Sequence, residues 1–207
     1  MAYKIKIIRK NEQKTTTWSG GTTTQLYIYP EDSVYSELNF KYRISSAMVL
    51  VEESTFTHLP GIDRKIMILD GELLLKHEDK YSVNLHKFGK DSFKGDFNTK
   101  SYGKVRDFNL MTKDDCEGDI SHISIEPDEF KKFKIGDMKD DYNNVSHVYY
   151  FLNGDIEIEF SNDFKEKVHE GDLLIITKDR NDKDETLYIY SKNNEKIDVI
   201  ESIIYYK

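Results

Sequence analysis

Hydrophobic and polar residues alternate along much of the chain. In FKYRISSAMVL, Phe40, Tyr42, Ile44, Met48 and Leu50 share one parity with Ser46, while Lys41, Arg43, Ser45, Ala47 and Val49 share the other. In DIEIEF, Ile156, Ile158 and Phe160 alternate strictly with Asp155, Glu157 and Glu159. A two-residue period is the mark of a half-buried strand. QLYIY from Gln25 and SHISIE from Ser121 read the same way. Long runs with a 3.6-residue period are absent, and only short helical turns are predicted, near Asp32–Leu38 and Thr112–Glu117. Prolines and glycines fall mostly between the strand candidates, where turns belong. The pattern predicts an all-β protein.

The pattern also repeats. RKIMILDGELLL holds a strand, the pair Asp70-Gly71 and a second strand, and HVYYFLNGDIEIEF does the same around Asn153-Gly154. Asp-Gly and Asn-Gly are strong two-residue hairpin signals, because such turns need positive φ. Each candidate hairpin is followed by a Gly-Asp pair, Gly95-Asp96 in FKGDF and Gly171-Asp172 in HEGDLLII. Gly95 follows Gly71 by 24 residues, and Gly171 follows Gly154 by 17. Strand, turn, strand, loop and Gly-Asp strand entry form half of a small jelly-roll barrel. Two copies predict two tandem barrels, over residues 1–112 and 113–207. The terminal segments YKIKII and IDVIESIIYY lie outside the repeats and are candidates to complete the opposite barrels.

Composition narrows the class. A chain of 207 residues accommodates one large domain or two small ones. With 38% hydrophobic and 33% charged residues it is polar, so the 14 Tyr and 11 Phe must supply much of the core. No apolar run approaches the roughly 20 residues of a membrane helix, and MAYKIKIIRK lacks the apolar block of a signal peptide. The lone Cys116 cannot form an internal disulfide, which fits the reducing cytoplasm. The net charge is −8, without a basic cluster interleaved with aromatics, so neither nucleic acid nor a membrane is an expected partner.

The order xLxGxLxL, loop, xxGDxxxI resembles the cupin superfamily. Metal-binding cupins carry a His-x-His pair, and a Glu seven residues before the first turn glycine. Those Glu positions hold Arg64 and His147 here, and THLP (Thr57 to Pro60) and DYNN (Asp141 to Asn144) stand where the His pairs belong. A divalent ion needs three or four convergent ligands, so the expected cofactor and metal complement is none. The blocks WSGGTTTQL, YRISSAMV, FTHLPGIDRKIMILDGELLL, FKGD and VRDFNLM follow in order between Trp18 and Met111. That series resembles the HutD family, also called Ves. The resemblance implies a bicupin fold and a link to histidine utilisation in bacteria, and leaves the biochemical role undefined.

The candidate ligand-binding residues are Trp18, Gly20, Gly21, Thr22, Gln25, Arg43, Ser45, His58, Arg64, Asp107 and Asn109. The glycine pair either offers free N–H groups to an anion or makes a tight turn beside a packed Trp18. Arg43 and Arg64 are forks suited to a carboxylate, unless Arg43 faces solvent and Arg64 is paired with Asp63, Asp96 or Asp107. Asp107 and Asn109 share a parity and would face one cavity; Asp107 could orient either arginine. His58 precedes Leu59-Pro60-Gly61 and is a loop histidine or a general base. No catalytic nucleophile spacing is legible. The leading reading is a metal-free protein that binds a small carboxylate metabolite and is not an enzyme. The alternatives are a metal-free isomerase or hydrolase, using His58 and Asp107 as acid and base, and a structural protein whose barrels dimerise. A homodimer is left open.

Overall fold

The computed structural model describes residues 3–161, 164–191 and 195–207. The protein is all-β, and the chain forms two compact units. One holds Gln13–Cys116, and the other combines Met1–Glu12 with Glu117–Lys207.

In the unit of residues 13–116, a six-stranded sheet runs in the order β2 (Lys14–Trp18), β3 (Gly21–Tyr29), β4 (Tyr42–Val49), β11 (Val105–Lys113), β6 (Ile62–Gly71) and β9 (Lys90–Lys94). A four-stranded sheet has the order β5 (Glu53–Thr55), β10 (Thr99–Tyr102), β7 (Leu73–His77) and β8 (Tyr81–Leu85). Ile66, Ile68 and Phe93 from the first sheet meet Leu73, Leu75 and Leu85 from the second in one core. Ile28, Phe40, Leu59, Ile62 and Met111 form a smaller one. The other unit has a five-stranded sheet, β1 (Lys4–Ile8), β17 (Leu173–Asp179), β14 (Asn144–Phe151), β19 (Ile197–Tyr206) and β12 (Cys116–Ile125). Its four-stranded sheet is β13 (Phe130–Ile135), β18 (Glu185–Ser191), β15 (Asp155–Phe160) and β16 (Lys165–His169). Tyr149, Phe151, Leu174, Ile176, Ile158 and Phe160 fill the space between these two sheets.

From β6 to β11 the chain visits the larger and smaller sheets of its unit in the same sequence as it does from β14 to β19. The duplication is therefore real, but its hinges are not hairpins. β6 pairs with β11 and β9, and β7 with β8 and β10, so Asp70-Gly71 carries the chain from one sheet to the other. Asn153-Gly154 does the same between β14 and β15. A single left-handed residue suffices for such a corner, at Gly71 (φ 83°) and Gly154 (φ 78°). A Cβ on Gly71 would lie 2.5 Å from the Lys104 carbonyl oxygen, so glycine is also a packing requirement there.

The second repeat marker also differs from the expected one. Gly171 donates to the Phe151 carbonyl, and Phe151 donates to that of Asp172. In the other unit Phe88 donates to the Ile68 carbonyl, and Ile68 to that of Gly89. The counterpart of Gly171 is thus Phe88, itself left-handed at φ 64°, and it follows Gly71 by the same 17 residues. Gly95 instead closes the strand β9 against Leu59, whose carbonyl oxygen would lie 2.4 Å from an added Cβ. Of the predicted helical turns, Tyr35–Glu37 forms a 3-10 turn. Thr112–Glu117 is strand on both sides of a bend at Asp114-Asp115.

The N-terminal strand joins the unit built by the C-terminal half, with Lys4–Ile8 paired to Leu173–Thr177, while β19 stays within its own half. Buried Asp172 fastens this strand. It accepts 2.8 Å from Arg9 Nη1, 2.9 Å from the Lys10 N–H and 3.1 Å from the His169 N–H. Removing such a charge-assisted acceptor leaves several donors unmatched. Asp172→Ala is expected to cost about 2–3 kcal/mol, and hydrogen exchange should accelerate first at the β1 amides. Uniform acceleration across the unit would contradict this local fastening.

Candidate functional site

Strand register assembles a row of charged side chains inside the barrel of residues 13–116. On β4, Arg43, Ser45 and Ala47 point to one side, opposite Met111, Asn109 and Asp107 of β11. Those three in turn face Arg64, Ile66 and Ile68 of β6. Alternation along each strand keeps these sets on one face. Arg43 and Arg64 therefore flank Met111 across three strands, and Phe93 of β9 continues the row beside Arg64. The reading of the Tyr42–Val49 strand as half-buried is corrected here. Tyr42 to Ser46 are all buried: Arg43 and Ser45 line a cavity, and Tyr42, Ile44 and Ser46 are covered on the other face, while Met48 farther along that face is exposed.

The cavity has a volume of about 290 Å³. Trp18, Tyr35, Arg43, Arg64, Asp107 and Asn109 supply its chemistry, and threonine and serine side chains line the remainder together with Ala47, Val49, Phe56 and Met111. The Arg43 guanidinium lies 4.2 Å from the centre of the Tyr35 ring. Its Nε donates to Gln25 Oε1 at 2.9 Å and its Nη1 to Ser45 Oγ at 3.2 Å, so its acceptors are neutral. The Arg64 guanidinium sits between Phe56 and Phe93, 4.7 and 5.3 Å from the ring centres. Its Nε is buried without a hydrogen-bond partner, and neither arginine has an ion pair among the described residues.

Burial sets the electrostatics. It pulls the Arg64 pKa down to about 10, with nearby Arg43 acting in the same direction and Tyr35 and Asp107 opposing. Arg43 is lowered by the same desolvation. Both remain cations at neutral pH. Burial raises Asp107 to about 7 against the opposing pull of the Ala47 N–H and of Arg64. Asp107 accepts only a long 3.3 Å hydrogen bond from that N–H, and Asn109 Oδ1 is buried without a partner.

Trp18, Arg43, Ser45, Arg64, Asp107 and Asn109 all line the cavity, and Gln25 reaches it through Arg43. Gly20, Gly21, Thr22 and His58 do not. His58 is exposed in its loop. The glycines serve backbone packing: a Cβ would lie 2.1 Å from the Trp18 ring at Gly20, and 1.9 Å from the Met48 carbonyl oxygen at Gly21. Tyr35 and Phe56 went unread because they sit in connections without periodicity. Met111 could have been found, since it shares the parity of Asp107 and Asn109. In the other unit, His147 occupies the position of Arg64, Tyr149 that of Ile66 and Glu201 that of Asn109. His147 is buried with neither ring nitrogen hydrogen-bonded, and desolvation lowers its pKa to about 4.

The metal sites of the cupin superfamily find no match in these residues. Among the described residues no three His, Cys, Asp or Glu side chains lie close enough to hold an ion. In the cavity a divalent cation would sit beside two guanidinium groups. Among the described residues, no helix is long and apolar enough to cross a membrane.

Two facing antiparallel sheets, built twice in one chain, give the bicupin fold. The sequence profile described as HutD matches residues 10–191, and the chain belongs to the HutD family. Among curated proteins no sequence relative is found. Solved structures share the fold. A conserved protein of unknown function from Pseudomonas aeruginosa superposes with a TM-score of 0.79 at 17% identity, covering 97% of this chain and 98% of its own. HutD from Pseudomonas fluorescens, described in a formate condition, gives 0.67 at 19%, covering 96% and 98%. Vicilin from Solanum melongena, described with different anionic ligands in structurally similar pockets, gives 0.68 at 9%, covering 96% and 84%.

Proposed function

We propose that the barrel of residues 13–116 binds a small carboxylate metabolite between Arg43 and Arg64, without a metal or other cofactor. The observation that carries this reading is Arg64, a buried guanidinium with no acceptor and no counter-ion among the described residues. Leaving such a group unpaired costs several kcal/mol, so its natural complement is an oxyanion brought by a ligand. Its planar fork suits a carboxylate, and the aromatic rings on both arginines hold the forks in place. The anions named with the vicilin pockets and the formate condition of the Pseudomonas fluorescens HutD support the same chemistry. Binding is preferred to catalysis because His58 lies outside the cavity wall, and Asp107 has no titratable side chain within hydrogen-bond reach. Family membership makes intermediates of histidine utilisation the first ligands to test, and the cytoplasm the compartment.

Calorimetry with urocanate, glutamate and formylglutamate is the test, with one site per chain expected for at least one of them. Trp18, the sole tryptophan, lines the cavity and should report the same event through its fluorescence. Absence of heat and of an emission change with all three, and no acid released from the denatured protein by mass spectrometry, would remove this reading.

A further inference from the structure

Among the described residues, Asp107 is the only carboxylate in the wall of the arginine cavity. Its charge acts on Arg64 from the same cavity wall, yet it forms no ion pair with either arginine. Its oxygens receive one long hydrogen bond, from the Ala47 N–H. The charged and titratable groups facing it are few. β4 contributes Arg43, β6 contributes Arg64, and the loop before β4 contributes Tyr35. β2, β3 and the segment 54–57 contribute only Thr16, Trp18, Thr23, Ser54, Thr55, Phe56 and Thr57. The Ala47 N–H and, after it, the charge of Arg64 are what favour the Asp107 carboxylate against its burial.

We propose that the cavity takes up its anion together with a proton, so that Asp107 is a carboxylic acid in the bound state. This rests on the carboxylate reading of the site. An anion seated on Arg43 and Arg64 cancels the positive charge that Asp107 feels and adds a like charge to the same buried cavity. Both effects favour the neutral acid. The proton comes from solvent, and the resulting O–H is a donor that can meet a second oxygen of the ligand. Before binding, Asp107 titrates near neutrality, so the uptake falls within the pH range where the protein is readily studied.

The experiment is calorimetry of the full chain with acetate and with glutarate, each in imidazole and in Tris, at pH 7 and pH 8. These buffers differ in ionisation enthalpy, so the difference in observed heat counts the protons bound. If the ligand raises Asp107 by roughly two units, uptake is about half a proton at pH 7 and about 0.8 at pH 8. Affinity should fall about fivefold over the same step. Both acids are fully ionised throughout, so the proton cannot be theirs. Asp107→Asn should bind with buffer-independent heat and an affinity that is flat with pH. If that variant misfolds, the buffer dependence of the parent still decides. Binding of either probe with no buffer dependence at both pH values overturns the proton coupling and leaves the carboxylate reading intact. Failure of both probes to bind at any concentration tells against both.

Discussion

Arg64→Ala is expected to abolish carboxylate binding while leaving the protein folded. Removing one member of a buried charge pair costs about 2–5 kcal/mol of binding, a loss of roughly 30-fold to several thousand-fold in affinity. Stability should move little, by about 1 kcal/mol or less. The variant loses packing against Phe56 and Phe93, but it also removes a desolvated cation that has no partner among the described residues. Arg64→Lys should bind roughly tenfold or more weakly than the parent, since it keeps the charge and loses the planar fork and its stacking. Calorimetry and thermal unfolding of the parent and both variants separate the two effects. An Arg64→Ala protein that binds like the parent would show that the ligand lies elsewhere.

The second large effect concerns stability and pH. Asp107 has a folded-state pKa raised from 3.8 to about 7, chiefly by burial. An acid with a raised folded pKa holds its proton more tightly in the native state than in the unfolded chain. Its unfavourable contribution is therefore absent below pH 4, grows as pH rises from about 4 to about 7, and is complete above that. Asp107→Asn removes this burden. The variant should be more stable than the ligand-free parent by about 2–4 kcal/mol at pH 8 and nearly equal to it at pH 4. Urea unfolding of both proteins at the two pH values is the check. A variant that is less stable than the parent at pH 8 would mean that attraction to the arginines outweighs desolvation. The gain at high pH is what a residue kept for binding rather than stability should display.

Period-two alternation carried most of the fold, because strand faces are set by parity alone. It could not tell that both faces of Tyr42–Ser46 are covered, nor that the strand meets solvent only toward its end, at Met48. The duplication was legible in Gly71 and Gly154, residues that no bulkier side chain replaces without strain. It was misread at the second marker, where Phe88 adopts the left-handed conformation that Gly171 adopts in the other copy. The identity of a residue hides a backbone conformation that hydrogen bonding reveals. Hairpins and sheet-crossing corners likewise share the Asp-Gly signal, since both need a residue at positive φ, and only strand pairing distinguishes them. Arg64 was reached through its position relative to Gly71, which fixes an inward-pointing site whatever residue fills it. Tyr35 came from a connection whose approach to Arg43 is a tertiary fact with no local trace in the sequence.

The arginine Nε–H resonances report directly on what occupies the cavity. The chain has Arg9, Arg43, Arg64, Arg106 and Arg180, few enough to resolve in one nitrogen–proton spectrum and to assign by single substitution. A carboxylate that binds should shift the signals of Arg43 and Arg64 together, with one saturation curve, and leave Arg9, Arg106 and Arg180 in place. A carboxylate that binds the protein while the Arg43 and Arg64 signals stay unmoved would contradict binding between these two arginines.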